Sequence, residues 1–190
     1  MKLPSVFTKQ VLVYLLKFFL FFCIAYFGTL IWIGFTVPGN YYSAFMRDHL
    51  DYISWMRASL LHGSAYLLKL FGYHTAIPNA NTLKFVGGRA IFLVYSCIGY
   101  GIMSFWLAFI LANNGGWLRK LIWIIGGWIV IWLINIIRMS LLLVCLNKNR
   151  QMPFNLDNHT FFNICAYIAI FVMIFFYDRS LKKKAVISGQ

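Results

Sequence analysis

The chain of 190 residues is 62% hydrophobic and only 11% charged, with a mean hydropathy of +0.75, whereas an ordinary soluble domain is about a quarter charged. Water is therefore excluded as the main solvent, and the length divides into room for four or five membrane spans of about 20 residues each. The net charge of +13 does not point to nucleic acid, because the basic residues flank apolar segments instead of lining one face. It fits cytoplasmic loops rich in Lys and Arg, held against anionic lipid headgroups.

In chain order, Lys2, Lys9 and Lys17 lead into an apolar run that ends at Pro38 and Gly39 without a small-residue cleavage site. This pattern predicts an uncleaved anchor, residues 1–37, whose span is residues 18–37. Residues 41–73 mix Arg47, Asp48, His49, Asp51, Arg57, His62 and Lys69 with large apolar side chains. That stretch is too polar to span and predicts an amphipathic helix lying in the interface. Pro78, Asn79, Asn81 and the pair Gly87 and Gly88 follow, with β-prone runs at 83–86 and 91–95, which predicts a small hairpin outside the membrane. Further spans are expected at 97–111, at 117–146 after the turn residues Asn113, Asn114, Gly115 and Gly116, and at 159–177. The predicted fold is thus all-α and membrane-integral. It has four transmembrane helices in a single domain, with an extracytoplasmic segment at 38–96, a three-span core at 97–177 and a basic cytoplasmic tail at 178–190.

Charge sets the expected orientation. An inside N-terminus puts the loop at Arg119 and Lys120, and the tail with Lys182, Lys183 and Lys184, on the same side. Residues 39–96 then lie outside.

Ionisable residues within spans are costly and mark candidate sites, and here Cys97, Arg138 and His159 stand out. At 1.5 Å per helical residue, Arg138 is about 27 Å from Lys120, His159 about as far from Tyr177, and Cys97 about 30 Å from Trp117. With hydrocarbon about 30 Å thick, all three reach the outer interface on different helices. A thiol, an imidazole and a guanidinium at one depth make a complete acyl-transfer set. The thiolate attacks, His159 moves the proton, and Arg138 donates to a developing oxyanion or a substrate carboxylate. Asn135 shares the helix face of Arg138 three residues on, and Gly99 and Gly101 leave room beside Cys97. Each residue also has a plainer role, since Cys23, Cys145 and Cys165 read as packing residues and an interfacial Arg or His often serves headgroups alone. His49, His62 and His74 lack metal-ligand spacing and the cysteines form no CxxC pair, so neither a metal nor any other cofactor is expected.

The run Val94, Tyr95, Ser96, Cys97, Ile98, Gly99, the Asn-x-x-Arg of Asn135 and Arg138, and the late His159 together resemble the signatures of the exosortase/archaeosortase family. The resemblance covers about residues 83–177 and is to the compact bacterial members. Ile98 stands where many members have Ser, and Asn163 where many have Gly four residues after the His. The resemblance implies an integral-membrane cysteine transpeptidase of the cell inner membrane with its site facing the exterior or periplasm. Its partners would be exported proteins ending in a short motif, a transmembrane helix and a basic tail. Cys97 would be the nucleophile, Arg138 the positioning or oxyanion-stabilising residue and His159 the proton-transfer residue. The competing expectation is a non-catalytic scaffold for export or exopolysaccharide assembly, in which Asn135, Arg138 and His159 form a structural hydrogen-bond cluster.

Overall fold

Among the described residues, three helices are long and apolar enough to cross a membrane: α1 (Lys9–Thr36), α5 (Trp117–Asn147) and, through its stretch Ile164–Leu181, α6 (Asn158–Ser188). A helix satisfies all its own backbone hydrogen bonds, which hydrocarbon cannot do for it. These elements belong to a computed structural model that describes residues 9–39, 41–148 and 158–188. Between them lie α2 (Ala44–Leu50), α3 (Tyr52–Leu70), β1 (Thr75–Asn79), β2 (Thr82–Phe85), β3 (Ala90–Phe92), a 3-10 turn (Tyr95–Ile98) and α4 (Tyr100–Ala112).

Several boundaries differ from those expected. α1 starts at Lys9 and not at residue 18, because Lys is a good helix former whose aliphatic stem lies along apolar surface while its ammonium reaches water. The stretch expected to span at 97–111 is broken at Gly99, which has φ +88°, and leaves an α4 of 13 residues. At 1.5 Å per residue α4 is about 20 Å long, short of the roughly 30 Å of hydrocarbon. The expected interfacial helix is two helices. Asp51 separates α2 from α3 and caps the second, its Oδ1 accepting from the Ser54 backbone N–H at 3.0 Å and its Oδ2 from the Ser54 hydroxyl at 2.6 Å.

The elements form two units, Met1–Trp55 with Gly99–Trp128, and Met56–Ile98 with Ile129–Gln190. In the first, α1 and α4 run antiparallel. Phe18 meets Phe105 edge-on at 5.4 Å, and Tyr26 meets Tyr100 at 5.5 Å. Gly101 faces the Tyr26 ring. α4 turns back onto the start of α5, where the Trp106 indole N–H donates to the Trp123 carbonyl at 2.8 Å and the Trp128 indole N–H to the Met103 carbonyl at 3.3 Å. These bonds satisfy two indole donors within apolar surroundings. α1 meanwhile presents Leu12, Leu16, Ile24 and Ile31 outward, each more than half exposed, a surface suited to lipid and not to water.

Trp106 is fully buried, and a Cβ at Gly127 would overlap its indole nitrogen and come within 2.6 Å of its Cδ1. The ring is stiff and fixed by its own hydrogen bond, so Gly127→Ala is expected to destabilise the protein by about 1–3 kcal/mol through overpacking. Gly63→Ala meets only the Cδ1 tip of Ile136 at 2.5 Å and its Cγ1 at 3.1 Å, and that tip can rotate. Alanine also gains about 1 kcal/mol of helix propensity over glycine. Thermal unfolding of the two variants in detergent should show the larger drop for Gly127→Ala; equal melting would contradict this packing account.

In the second unit, α3 and α5 run side by side in the same direction. The Trp132 indole N–H donates to Ser59 Oγ at 3.0 Å and the buried Ser64 hydroxyl to the Ile136 carbonyl at 3.4 Å, while the Ser140 hydroxyl donates to the Ile136 carbonyl at 2.9 Å and lies 3.4 Å from that of Ser64. α3 buries Arg57, Leu60, Leu61, Ser64 and Leu68 along one face, the i, i+3, i+4, i+7 stripe of a helix packed on a core. The strands form an antiparallel sheet in the order β1-β2-β3, with Leu83 opposite Ile91. Gly87 takes φ +75° in the turn after β2. Asn147 at the end of α5 accepts the Arg89 backbone N–H at 3.4 Å, which joins that turn to the helix.

Candidate active site

The segment carrying Cys97 is held from both ends. After β3 the Leu93 N–H donates to the Asn81 carbonyl at 2.7 Å, and the Cys97 N–H closes the 3-10 turn on the Val94 carbonyl at 2.9 Å. Gly99 then takes its left-handed conformation and starts α4, a backbone position that a residue with a Cβ occupies only at a cost. Cys97 thus sits on a short turn ahead of a helix and not at the head of a span, with 7% of its surface exposed.

Two side chains of α5 reach this turn. Asn135, itself buried, donates its Nδ2–H to the Ile98 carbonyl at 3.2 Å, and the half-buried Arg138 points an Nη2–H at Cys97 Sγ, 3.8 Å away. They are three residues apart and so share a helix face. One fixes the backbone that bears the thiol and the other brings a positive charge to the sulfur. That guanidinium supplies a donor where negative charge develops during attack on a carbonyl.

His159 is the second residue of α6; its side chain lies outside the described residues, as does that of Asn163. Cys23 and Cys165 are exposed, Cys145 is half-buried, and none of the cysteines forms a disulfide. Among the described residues no group of three or more His, Cys, Asp or Glu is placed to hold a metal ion.

Asn135 has a testable role in this arrangement. Asn135→Ala leaves the Ile98 carbonyl without its donor in a buried place, a loss of about 1–3 kcal/mol, and frees the turn that aims the thiol. Alkylation of Cys97 by a small membrane-permeant thiol reagent should therefore speed up in Asn135→Ala, with expression retained. An unchanged alkylation rate would show that Asn135 does not hold the turn.

One polar residue at a core position was missed from the sequence. Arg57 was read as part of the polar face of an interfacial helix, yet it is only 6% exposed. Its Nη1 donates to Asn81 Oδ1, and its Cζ lies over the Tyr95 ring, 4.4 Å from the centroid. The signal was available, since Arg57 falls in register with Leu60, Leu61, Ser64 and Leu68 and not with the exposed residues Ala58, His62 and Lys69. Comparison with protein-family models, with curated proteins and with solved structures finds nothing that matches this chain.

Proposed function

We propose that the chain is a membrane-embedded cysteine transpeptidase of the exosortase/archaeosortase type. It would cleave C-terminal sorting signals of exported proteins and pass them to an acceptor. The single observation that supports this most is the approach of the Arg138 guanidinium to Cys97 Sγ on a turn whose backbone Asn135 holds. Cys97 gives its thiol proton to His159 and attacks the scissile amide carbonyl, and Arg138 stabilises the charge that gathers on its oxygen. Collapse of the tetrahedral intermediate breaks the C–N bond, the departing amine takes a proton from His159, and a thioester remains on Cys97. An acceptor nucleophile gives up its proton to His159 as it attacks, and releases the thiol.

In this proposal the protein resides in the inner membrane with four crossings. The short α4 makes the return crossing with local thinning of the bilayer. The loop with Arg119 and Lys120 and the tail with Lys182, Lys183 and Lys184 face the cytoplasm. Cys97 opens outward, and lipids contact the apolar faces. The substrate's transmembrane tail docks beside the core, which carries its scissile bond to the thiol.

The test is co-expression of a secreted reporter bearing a C-terminal motif, transmembrane helix and basic tail, with and without this chain. The reading predicts a shortened reporter C-terminus, by intact mass, only when the chain is present. An identical C-terminus in both cells would leave the scaffold role, with Asn135 and Arg138 as structural donors, as the better account.

A further inference from the structure

Arg57 carries a formal charge in the interior of the second unit, and its partners do not neutralise it. Its Nη1 is used by Asn81, but among the described residues Nε and Nη2 are buried with no hydrogen-bond partner, and the hydroxyl of the next residue along from Asn81, Thr82, is likewise buried and unpartnered. A buried charge without a counter-ion costs several kcal/mol even after relaxation, and a buried donor left unmade costs about 1–3 kcal/mol more. Native structures hold few such groups, and each calls for an explanation.

We infer that Arg57 and Thr82, positioned by Asn81 and Tyr95, form a binding site for a carboxylate. The pattern of occupied and free nitrogens carries the inference. Nε–H and the adjacent Nη2–H form one edge of the guanidinium, two parallel donors whose spacing matches the two oxygens of a carboxylate. That edge is the one without a hydrogen-bond partner among the described residues. Nη1, on the other side, is tied to Asn81, whose backbone is itself fixed by the Leu93 N–H on its carbonyl and by its own N–H on Asn79 Oδ1 at 3.1 Å. The Tyr95 ring lies against the cation, which attracts it without offering an oxygen acceptor. The guanidinium is thus held by its far side, with its fork buried and unpartnered, and Thr82, next in the chain to Asn81, carries the other buried hydroxyl without a partner. Arginine is suited to this planar two-point recognition and lysine is not.

The site stands apart from the transpeptidase reading, since it is built from α3, the β1 to β2 turn and Tyr95, and uses none of Cys97, Arg138 or His159. Its ligand is identified only by its chemistry, which a small free carboxylate and an acidic side chain of a polypeptide share.

The test uses the full chain in lipid nanodiscs with ¹⁵N-labelled arginine. The probes are acetate, N-acetyl-glutamate N-methylamide, the matching glutamine compound and inorganic phosphate. The Arg57 Nε–H resonance, identified by its absence in Arg57→Lys, should move downfield and saturate with a carboxylate and stay in place with the glutamine compound. Saturation by acetate as well as by the blocked glutamate assigns the site to small carboxylates; saturation by the blocked glutamate alone assigns it to a polypeptide side chain. A ¹³C label on the probe's carboxylate reads affinity in the variants. Arg57→Gln and Arg57→Lys should each weaken binding at least about 10-fold, the scale of one charge-assisted hydrogen bond. Thr82→Val, which keeps shape and burial, should weaken it several-fold. Cys97→Ala should leave it within twofold, so the result does not depend on the proposed catalysis. The inference is overturned if no carboxylate saturates the resonance, if glutamine serves as well as glutamate, if phosphate binds more tightly than either carboxylate, or if Arg57→Lys and Thr82→Val bind like the parent chain.

Discussion

Arg138→Lys is expected to lower substrate turnover by at least about 10²-fold while leaving expression and membrane insertion near normal. The charge survives this change, so a residue that serves only lipid phosphates would tolerate it. What is lost is geometry. In the parent chain an Nη2–H reaches Cys97 Sγ at 3.8 Å from a helix position set by packing, and the guanidinium carries other donors in fixed directions with which to meet an oxyanion. An ammonium is a point charge on a flexible stem and cannot hold sulfur and oxygen at once in that frame. Removing one preorganised oxyanion donor typically costs about 10²–10³ in rate. Turnover against protein level for Arg138→Lys, Arg138→Gln and the parent chain is the measurement. Lys working as well as Arg while Gln fails would reduce the role to charge alone, and equal turnover by all three would make Arg138 structural.

Cys97→Ala and Cys97→Ser are expected to abolish processing altogether. A hydroxyl at that position has no nucleophilicity comparable to that of a thiolate near neutral pH. Both substitutions are small, and at a residue 7% exposed they remove little packing, so the variants should fold and insert. Changes at Cys23 and Cys165, which are exposed, should leave processing intact. Normal processing by Cys97→Ala would end the nucleophile assignment.

How far these features were legible in the sequence depends on the kind of signal. The start of α5 at Trp117 follows from Asn113, Asn114, Gly115 and Gly116, a run that ends one helix and lets the next begin, with the Lys120 N–H bonded to the Gly116 carbonyl at 3.1 Å. Counting helical rise placed Cys97 and Arg138 at one depth, but only the fold brings in contact two residues 41 positions apart. β1 was not anticipated because it contains Pro78, which lacks an N–H. As an edge strand it can leave that position undonated. The break at Asp51 was a capping signal hidden in an otherwise amphipathic run. Arg57 escapes a reading by charge, which puts it on the polar face, whereas its helical register puts it in the core. The shortness of α4 turns on the single left-handed residue Gly99, and glycine in a sequence permits that conformation without demanding it.

The most direct measurement of the central claim is intact-mass analysis of the chain purified from cells that also make a tailed reporter, with acceptor transfer slowed by low temperature or acid quenching. The account predicts an adduct whose mass equals the reporter cleaved at its tail, attached at Cys97, removed by neutral hydroxylamine and missing from Cys97→Ala. A chain that carries no hydroxylamine-sensitive adduct at Cys97, while the reporter is still shortened in the same cells, would contradict it.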